Sequence, residues 1–251
     1  MEKKWPENAY RWYDHACKVF DYPSAPYGKH IKNLVEGVDS VLDLGCGIGA
    51  ASIMIAPLCG KVIALDQDEK ALNFLKAKIR EQGIANIETV YQKFPYQEIL
   101  SADVVIVLHA GNIMKSVENI KRVYESAKKG GYIACNGLSF RQEEPFYRLK
   151  EELGIRLNAE NCDNGCFVKG ALEALGAVVN CEEKIYQFGQ PLDSMDEVAQ
   201  FIAWQINANE SMMETVKKYA ERYTQKDGNK WLVPVARRSC GIFFVKNSSI
   251  A

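Results

Sequence analysis

Short apolar runs alternate with longer amphipathic stretches along the first half of this 251-residue chain. The runs near 40–44, 62–66, 87–91, 103–108 and 131–136 read as strands, and helical periodicity near 49–58, 69–82 and 113–127 reads as helices between them. That strand-helix order predicts a mainly parallel sheet with right-handed crossovers. Beyond the fifth strand, helices are expected near 143–153 and 166–175, and strands near 177–188 and 240–246, which brings the sheet to seven strands. Ala9–Phe20 and Gly28–Val35 predict two helices ahead of the first strand, joined through the turn Tyr22-Pro23-Ser24-Ala25-Pro26. The stretch 190–229 is too long for a simple connection and carries helical patterning from Ser194 through Tyr223. It predicts a helical insert before the last strand, serving as a roof over an acceptor pocket or as a packing or oligomer contact.

The most informative segment is Val41-Leu42-Asp43-Leu44-Gly45-Cys46-Gly47-Ile48-Gly49, an apolar strand carrying an acid and running into three alternating glycines. Glycine tolerates positive φ and has no Cβ, so the backbone can turn sharply and press against a ligand. A lone glycine run also serves as an ordinary strand-to-helix turn. The second signal lies about twenty residues on, where Val62-Ile63-Ala64-Leu65 ends in Asp66, the place from which an acid grips ribose hydroxyls. The loop reads GxGxG rather than the dinucleotide GxGxxG, and Asp43 would repel a pyrophosphate. A cationic nucleoside such as S-adenosylmethionine (SAM) suits both acids.

These two segments resemble the first two motifs of the class I SAM-dependent methyltransferases. Ser101–Leu108 resembles that family's fourth strand and Lys128–Cys135 its turn into the fifth, so the resemblance covers roughly residues 38–138. It implies a doubly wound, Rossmann-like α/β fold over a single domain 1–251. In that scheme 1–37 is an N-terminal helical cover over the cofactor, 38–138 the SAM-binding core and 139–251 a substrate-side half. Gly45, Cys46, Gly47 and Gly49 would floor the cofactor, Asp43 would orient its methionine portion, and Asp66 would accept both ribose hydroxyls. Gln67 would lie beside the adenine, as would Gln92, Lys93 and Phe94 after the third strand, where the family often has an acid that Gln92 or Lys93 replaces here. For Phe94 the alternative is core packing.

After the fourth strand, Leu108-His109-Ala110-Gly111-Asn112 takes the place where the family lines the reacting centre. His109 is the candidate catalytic residue, able to contact the cofactor, hold an acceptor or remove a proton; the alternative is a histidine satisfied by neighbouring backbone. Tyr27 in the N-terminal cover would reach the SAM carboxylate or the substrate, with packing as the alternative; Tyr13, Lys29 and His30 share that cover. Arg237 and Arg238 could bind an acidic acceptor or form a solvated pair.

Composition narrows the acceptor. The formal net charge of −1 gives no general attraction to nucleic acid or anionic membrane. The chain lacks Asn-Pro-Pro-Tyr after the fourth strand, which disfavours base amino-group and glutamine methylation. The expected reaction is methyl transfer from SAM to a small molecule, leaving S-adenosylhomocysteine (SAH). The alternatives are methylation of a corrin-pathway tetrapyrrole precursor, or SAM binding without transfer. The polar N-terminal sequence and the absence of long apolar runs predict a cytoplasmic protein. Of the eight cysteines, Cys162 and Cys166 could hold a soft metal with Asp163, but no second Cys/His pair follows at zinc-like spacing, so no metal is expected. The acceptor atom and the oligomeric state are not legible.

Overall fold

The apolar runs become buried strands in a computed structural model that describes residues 5–95, 100–111, 113–136, 146–155, 165–234 and 236–246. In chain order these form α1 (Glu7–Val19), α2 (Lys29–Val35), β1 (Ser40–Leu44), α3 (Ala50–Ile55), β2 (Lys61–Asp66), α4 (Glu69–Gln82), β3 (Ile87–Tyr91), β4 (Ala102–Leu108), α5 (Val117–Ser126) and β5 (Ala127–Asn136). There follow α6 (Tyr147–Glu152), α7 (Gly165–Ala174), β6 (Ala177–Gln187), β7 (Gln190–Leu192), α8 (Met195–Ile206), α9 (Met213–Tyr223), β8 (Gln225–Asp227), β9 (Lys230–Val233) and β10 (Ala236–Lys246). The chain divides into two compact units.

The larger unit comprises Pro23–Leu138, Asn161–Lys184 and Arg238–Ala251. Its seven-stranded sheet has the order β3-β2-β1-β4-β5-β10-β6. Strands β3, β2, β1, β4 and β5 are parallel, and β10 runs antiparallel to β5. Strand order reverses between β1 and β4, the switch point where open α/β sheets bind ligands beyond the strand carboxyl ends. Leu42, Leu44, Val105, Val107 and Ile133 meet Ile120, Val123, Val168 and Leu172 of the flanking helices in one core. Each fully buried aliphatic side chain of this kind contributes about 1.5–3 kcal/mol. Helix ends follow sequence: Asp68 accepts from the Lys70 and Ala71 amides to start α4, and Ser116 accepts from the Asn119 amide to start α5.

The smaller unit comprises Met1–Tyr22, Ser139–Glu160 and Ile185–Arg237. Trp12 of α1 joins Val198, Phe201 and Ile202 of α8 and Val216 and Ala220 of α9 in its core. Arg11 pairs with Asp193 at 2.8 Å and with Glu197, and Lys230 pairs with Asp193. The expected helical insert is present as α8 and α9, but it also carries a sheet of order β7-β9-β8 that the periodicity did not announce. Those strands are three or four residues long, too short to display an alternation. The two helices expected ahead of the first strand fall in different units, α1 in the smaller and α2 in the larger.

The run Lys128-Lys129-Gly130-Gly131 departs from expectation, forming part of β5 rather than a turn before it. Its glycines serve close approach. A Cβ on Gly130 would lie 2.2 Å from the Phe244 carbonyl oxygen, and one on Gly131 2.4 Å from the Val105 carbonyl oxygen and 2.6 Å from the Phe244 ring. We expect Gly131→Ala to cost about 1–3 kcal/mol in urea denaturation, because strand backbone cannot yield to an inserted methyl. Gly170→Ala at an exposed position of α7, where an added Cβ meets nothing within 4 Å, should instead gain up to about 1 kcal/mol.

Candidate cofactor and active site

Two backbone amides tie the glycine loop to β2: Gly45 and Cys46 donate to the Leu65 carbonyl at 2.8 and 3.1 Å. Gly45, Gly47 and Gly49 hold φ of 71°, 54° and 77°, a left-handed path that residues bearing a Cβ rarely follow. The three differ in their surroundings. A Cβ on Gly45 would strike Ala110 at 2.6 Å and one on Gly49 would strike Leu75 at 2.2 Å, whereas a Cβ on Gly47 would meet nothing within 4 Å. The outer glycines therefore serve packing, and the central one faces open space.

Asp43 is 1% exposed, and its Oδ2 accepts a 2.5 Å hydrogen bond from the Ser52 hydroxyl in α3. Burial pushes its carboxyl up from the usual 3.8 to about 6, with the Ser52 bond opposing and the negative field of Asp66 adding to the rise. Asp66 is also raised, chiefly by burial. Its Oδ2 accepts from the Gly47 amide at 2.7 Å and its Oδ1 from the Asp68 amide at 2.8 Å, so the carboxylate is fixed in orientation. Each oxygen retains a further lone pair for a hydroxyl donor. Two carboxylates around one glycine loop make a site for a cation. Between them the Cys46 thiol is pushed well up, by burial and then by the fields of Asp43 and Asp66, and stays protonated.

The remaining candidates lie along the same strand ends. Gln92 donates its backbone amide to the Asp66 carbonyl at 3.0 Å, which places the segment after β3 beside Asp66. Gln67 and Gln92 are partly exposed and Lys93 is exposed, whereas Phe94, 8% exposed, joins the main core. His109 follows β4 with φ of 53°, unusual for a residue with a side chain, and its amide donates to the Ala134 carbonyl at 2.8 Å. Its Nε2 lies 2.8 Å from the Tyr27 hydroxyl. Tyr27 is wholly buried, and that hydroxyl also lies 2.7 Å from the hydroxyl of Ser239 in β10, itself wholly buried.

Ser239 is the site residue that sequence reasoning missed, since nothing local marks a serine as the partner of a tyrosine 212 positions earlier. Of the other residues singled out, Arg238 faces Glu183 at 3.5 Å and His30 meets Glu182 at 2.9 Å. Tyr13 packs with Tyr22 and Phe188 in the smaller unit. Cys162 and Asn112 lie outside the described residues, and Cys166 is exposed on α7. Among the described residues no three metal-ligating side chains converge, and no helix is long and apolar enough to cross a membrane.

Residues 41–131 match the methyltransferase-domain family. The chain carries a class I SAM-dependent methyltransferase domain. The matched stretch contains the glycine loop and both acids. Around that domain the chain is 29% identical over 150 residues to a ribosomal protein L11 methyltransferase of Desulforamulus reducens, spanning 57% of this chain and 48% of the relative. A protein of the same name from Campylobacter concisus is 34% identical over 131 residues, spanning 48% of this chain and 42% of the relative. The chain thus spans less than half the length of these relatives. In fold, the domain is similar to the YcgJ protein of Bacillus subtilis at a TM-score of 0.57, 12% identity, and coverage of 88% of this chain and 98% of that one. It is also similar to the magnesium protoporphyrin IX methyltransferase of Synechocystis PCC 6803 with bound SAH, at 0.54, 14% identity, and coverage of 98% and 90%.

Asp43 links stability to pH. Because burial raises its folded-state value, the protonated form stabilises the fold below about pH 4, and that contribution is lost as pH climbs through about 6. At neutral pH the ionised carboxylate is a net cost, useful only to a cation. We expect Asp43→Asn, which keeps an acceptor for Ser52, to raise stability at pH 7 by about 1–3 kcal/mol. The same change should weaken SAM at least about 10-fold by calorimetry. In the wild type, SAM affinity should fall as pH drops below about 6; an affinity flat from pH 5 to 8 would remove Asp43 from the site.

Proposed function

We propose that this chain transfers the methyl group of SAM to a small protic molecule, an oxygen or nitrogen nucleophile that must lose a proton. The observation that carries the reading is the chain of His109, Tyr27 and Ser239 at the end of β4, beside the loop that binds the cofactor. Bound SAM supplies an activated sulfonium methyl for in-line displacement, so the protein's share is alignment and exclusion of water. Asp43 would hold the ammonium of the methionine portion and Asp66 the ribose hydroxyls. Gly47 would leave its open face to the cofactor, and Gln67, Gln92 and Lys93 would border the base.

His109 would act as general base. In the tautomer whose Nε2–H donates to Tyr27, with the Tyr27 hydroxyl donating to Ser239, Nδ1 would be the nitrogen that takes the proton. Tyr27 and Ser239, both buried, would fix that tautomer without touching the acceptor. Sequence reading aimed the Tyr27 hydroxyl at cofactor or substrate; its two partners support this positioning role instead.

The relatives named for ribosomal protein L11 favour a second reading, a protein acceptor. Against it stands the partial reach of that likeness, which spans 57% of this chain and 48% of the first of these relatives.

Calorimetry with SAM, SAH and NAD tests the cofactor. We expect micromolar binding of the first two, none of NAD, and at least a 10-fold loss in Asp66→Ala, about 1.4 kcal/mol. A preference for NAD would overturn the reading. SAH release should then be measured with a small-metabolite mixture and with ribosomal protein L11 in parallel; release with L11 alone would transfer the proposal to the protein acceptor. With the acceptor in hand, His109→Asn should lower turnover by about 10²-fold with little effect on SAM binding. Unchanged turnover across pH would end the general-base role.

A further inference from the structure

Three thiols stand side by side across the sheet on adjacent strands: Cys135 in β5, Cys240 in β10 and Cys181 in β6. Cys135 and Cys240 are direct partners in the antiparallel register, and the Cys135 thiol points at the Cys240 carbonyl oxygen, 3.8 Å away. On the other side of β10, a Cβ on Gly241 would lie 3.7 Å from the Glu182 carbonyl oxygen, which sets the residues next in sequence, Cys240 and Cys181, close together on adjacent strands. A row cannot wrap an ion as a triangle can, in keeping with the lack of convergent metal ligands among the described residues. What a row offers is a neighbouring thiol at hand for each sulfur.

We propose that Cys240 and Cys181 form a dithiol site that hydroperoxides oxidise to an intramolecular disulfide between β10 and β6.

Exposure assigns the partners. Cys135 and Cys240 are buried, whereas Cys181 on the edge strand is exposed and gives oxidant its approach. Hydrogen bonds from both neighbours hold the Cys240 thiol down to about 7 against the opposing effect of burial, so it supplies the thiolate. The Cys240 thiolate attacks a peroxide oxygen, giving the sulfenic acid and expelling hydroxide. The Cys181 sulfur then attacks the Cys240 sulfur, the S–O bond breaks, and with the Cys181 proton the oxygen leaves as water. Overall two thiols lose two electrons and two protons, and hydrogen peroxide becomes two waters. Sterics favour the disulfide over further oxidation at one sulfur. Helix α7 begins directly on Cys240, where a Cβ added to Gly165 would lie 2.6 Å from both the Cys240 Cβ and Sγ, leaving little room for sulfinic oxygens. Burial and the neighbouring Cys240 push the Cys181 thiol up to about 11, with Lys169 on α7 opposing, so Cys181 enters the second step as a thiol that brings its own proton. The proposal does not rest on the methyltransferase reading, although Cys240 directly follows Ser239 in β10.

The test treats the purified full chain with a few equivalents of hydrogen peroxide, blocks remaining thiols with N-ethylmaleimide, and maps peptides by mass spectrometry without reduction. The expected product is a Cys181–Cys240 cross-linked peptide that disappears on reduction. In Cys181→Ser, an exposed change that leaves the core intact, the cross-link should be absent and dimedone should label Cys240. A Cys135–Cys240 cross-link, intermolecular products through Cys181 or Cys166 alone, or equal alkylation of Cys181 and Cys240 with and without peroxide would each overturn the proposal.

Discussion

A carboxylate buried at the end of β1 is the constraint around which the site is arranged. Asp43 sits in the sheet interior between Leu42 and Leu44, where apolar neighbours would ordinarily exclude a charge. One hydroxyl, from Ser52 on the helix after the glycine loop, partly satisfies it, and that bond helps fix where α3 begins relative to β1. The loop between them has little freedom left. It follows a left-handed path at three positions, is pinned to Leu65 by two amides, and hands a third amide to Asp66. One acid is thus held by a side chain and the other by backbone, and both are raised by the burial that makes them useful to a cation.

How much of this could be read in advance depended on whether the cause is local. Strands β1 and β3 and helix α4 fall at their expected bounds, because each is an uninterrupted apolar or periodic run closed by a recognisable cap. The Gly130-Gly131 pair misled, since glycine marks turns and close approaches alike, and only the packed sheet reveals Val105 and Phe244 pressing from either side. The short strands β7, β8 and β9 gave no period to read, and they owe their existence to one another.

The same division runs through the site. The placement of Asp43, the glycines and Asp66 was legible because all of them lie within a single βαβ unit, at one strand end, the turn after it and the next strand end. The environment of His109 was not, because it comes from three places in the chain: a strand end, the turn before α2 and the last strand. A tyrosine after a proline-rich turn and a serine in an apolar strand are unremarkable singly. They become informative only when the antiparallel β10 lies beside β5, which places Ser239 opposite Asn136 and within reach of Tyr27.

That difference bears on what kind of chemistry the domain performs. A pre-activated methyl donor asks little of its protein, and a thiolate or carbanion acceptor would need no base at all. Keeping two hydroxyls wholly buried to orient one imidazole has a cost, since each buried polar group must be satisfied to offset its desolvation. Removing both hydroxyls together can be nearly neutral for stability, so the pair is not demanded by folding alone. A buried tyrosine-serine pair beside a histidine in a left-handed conformation is an arrangement suited to handling a proton, which is what the proposed protic acceptor would require.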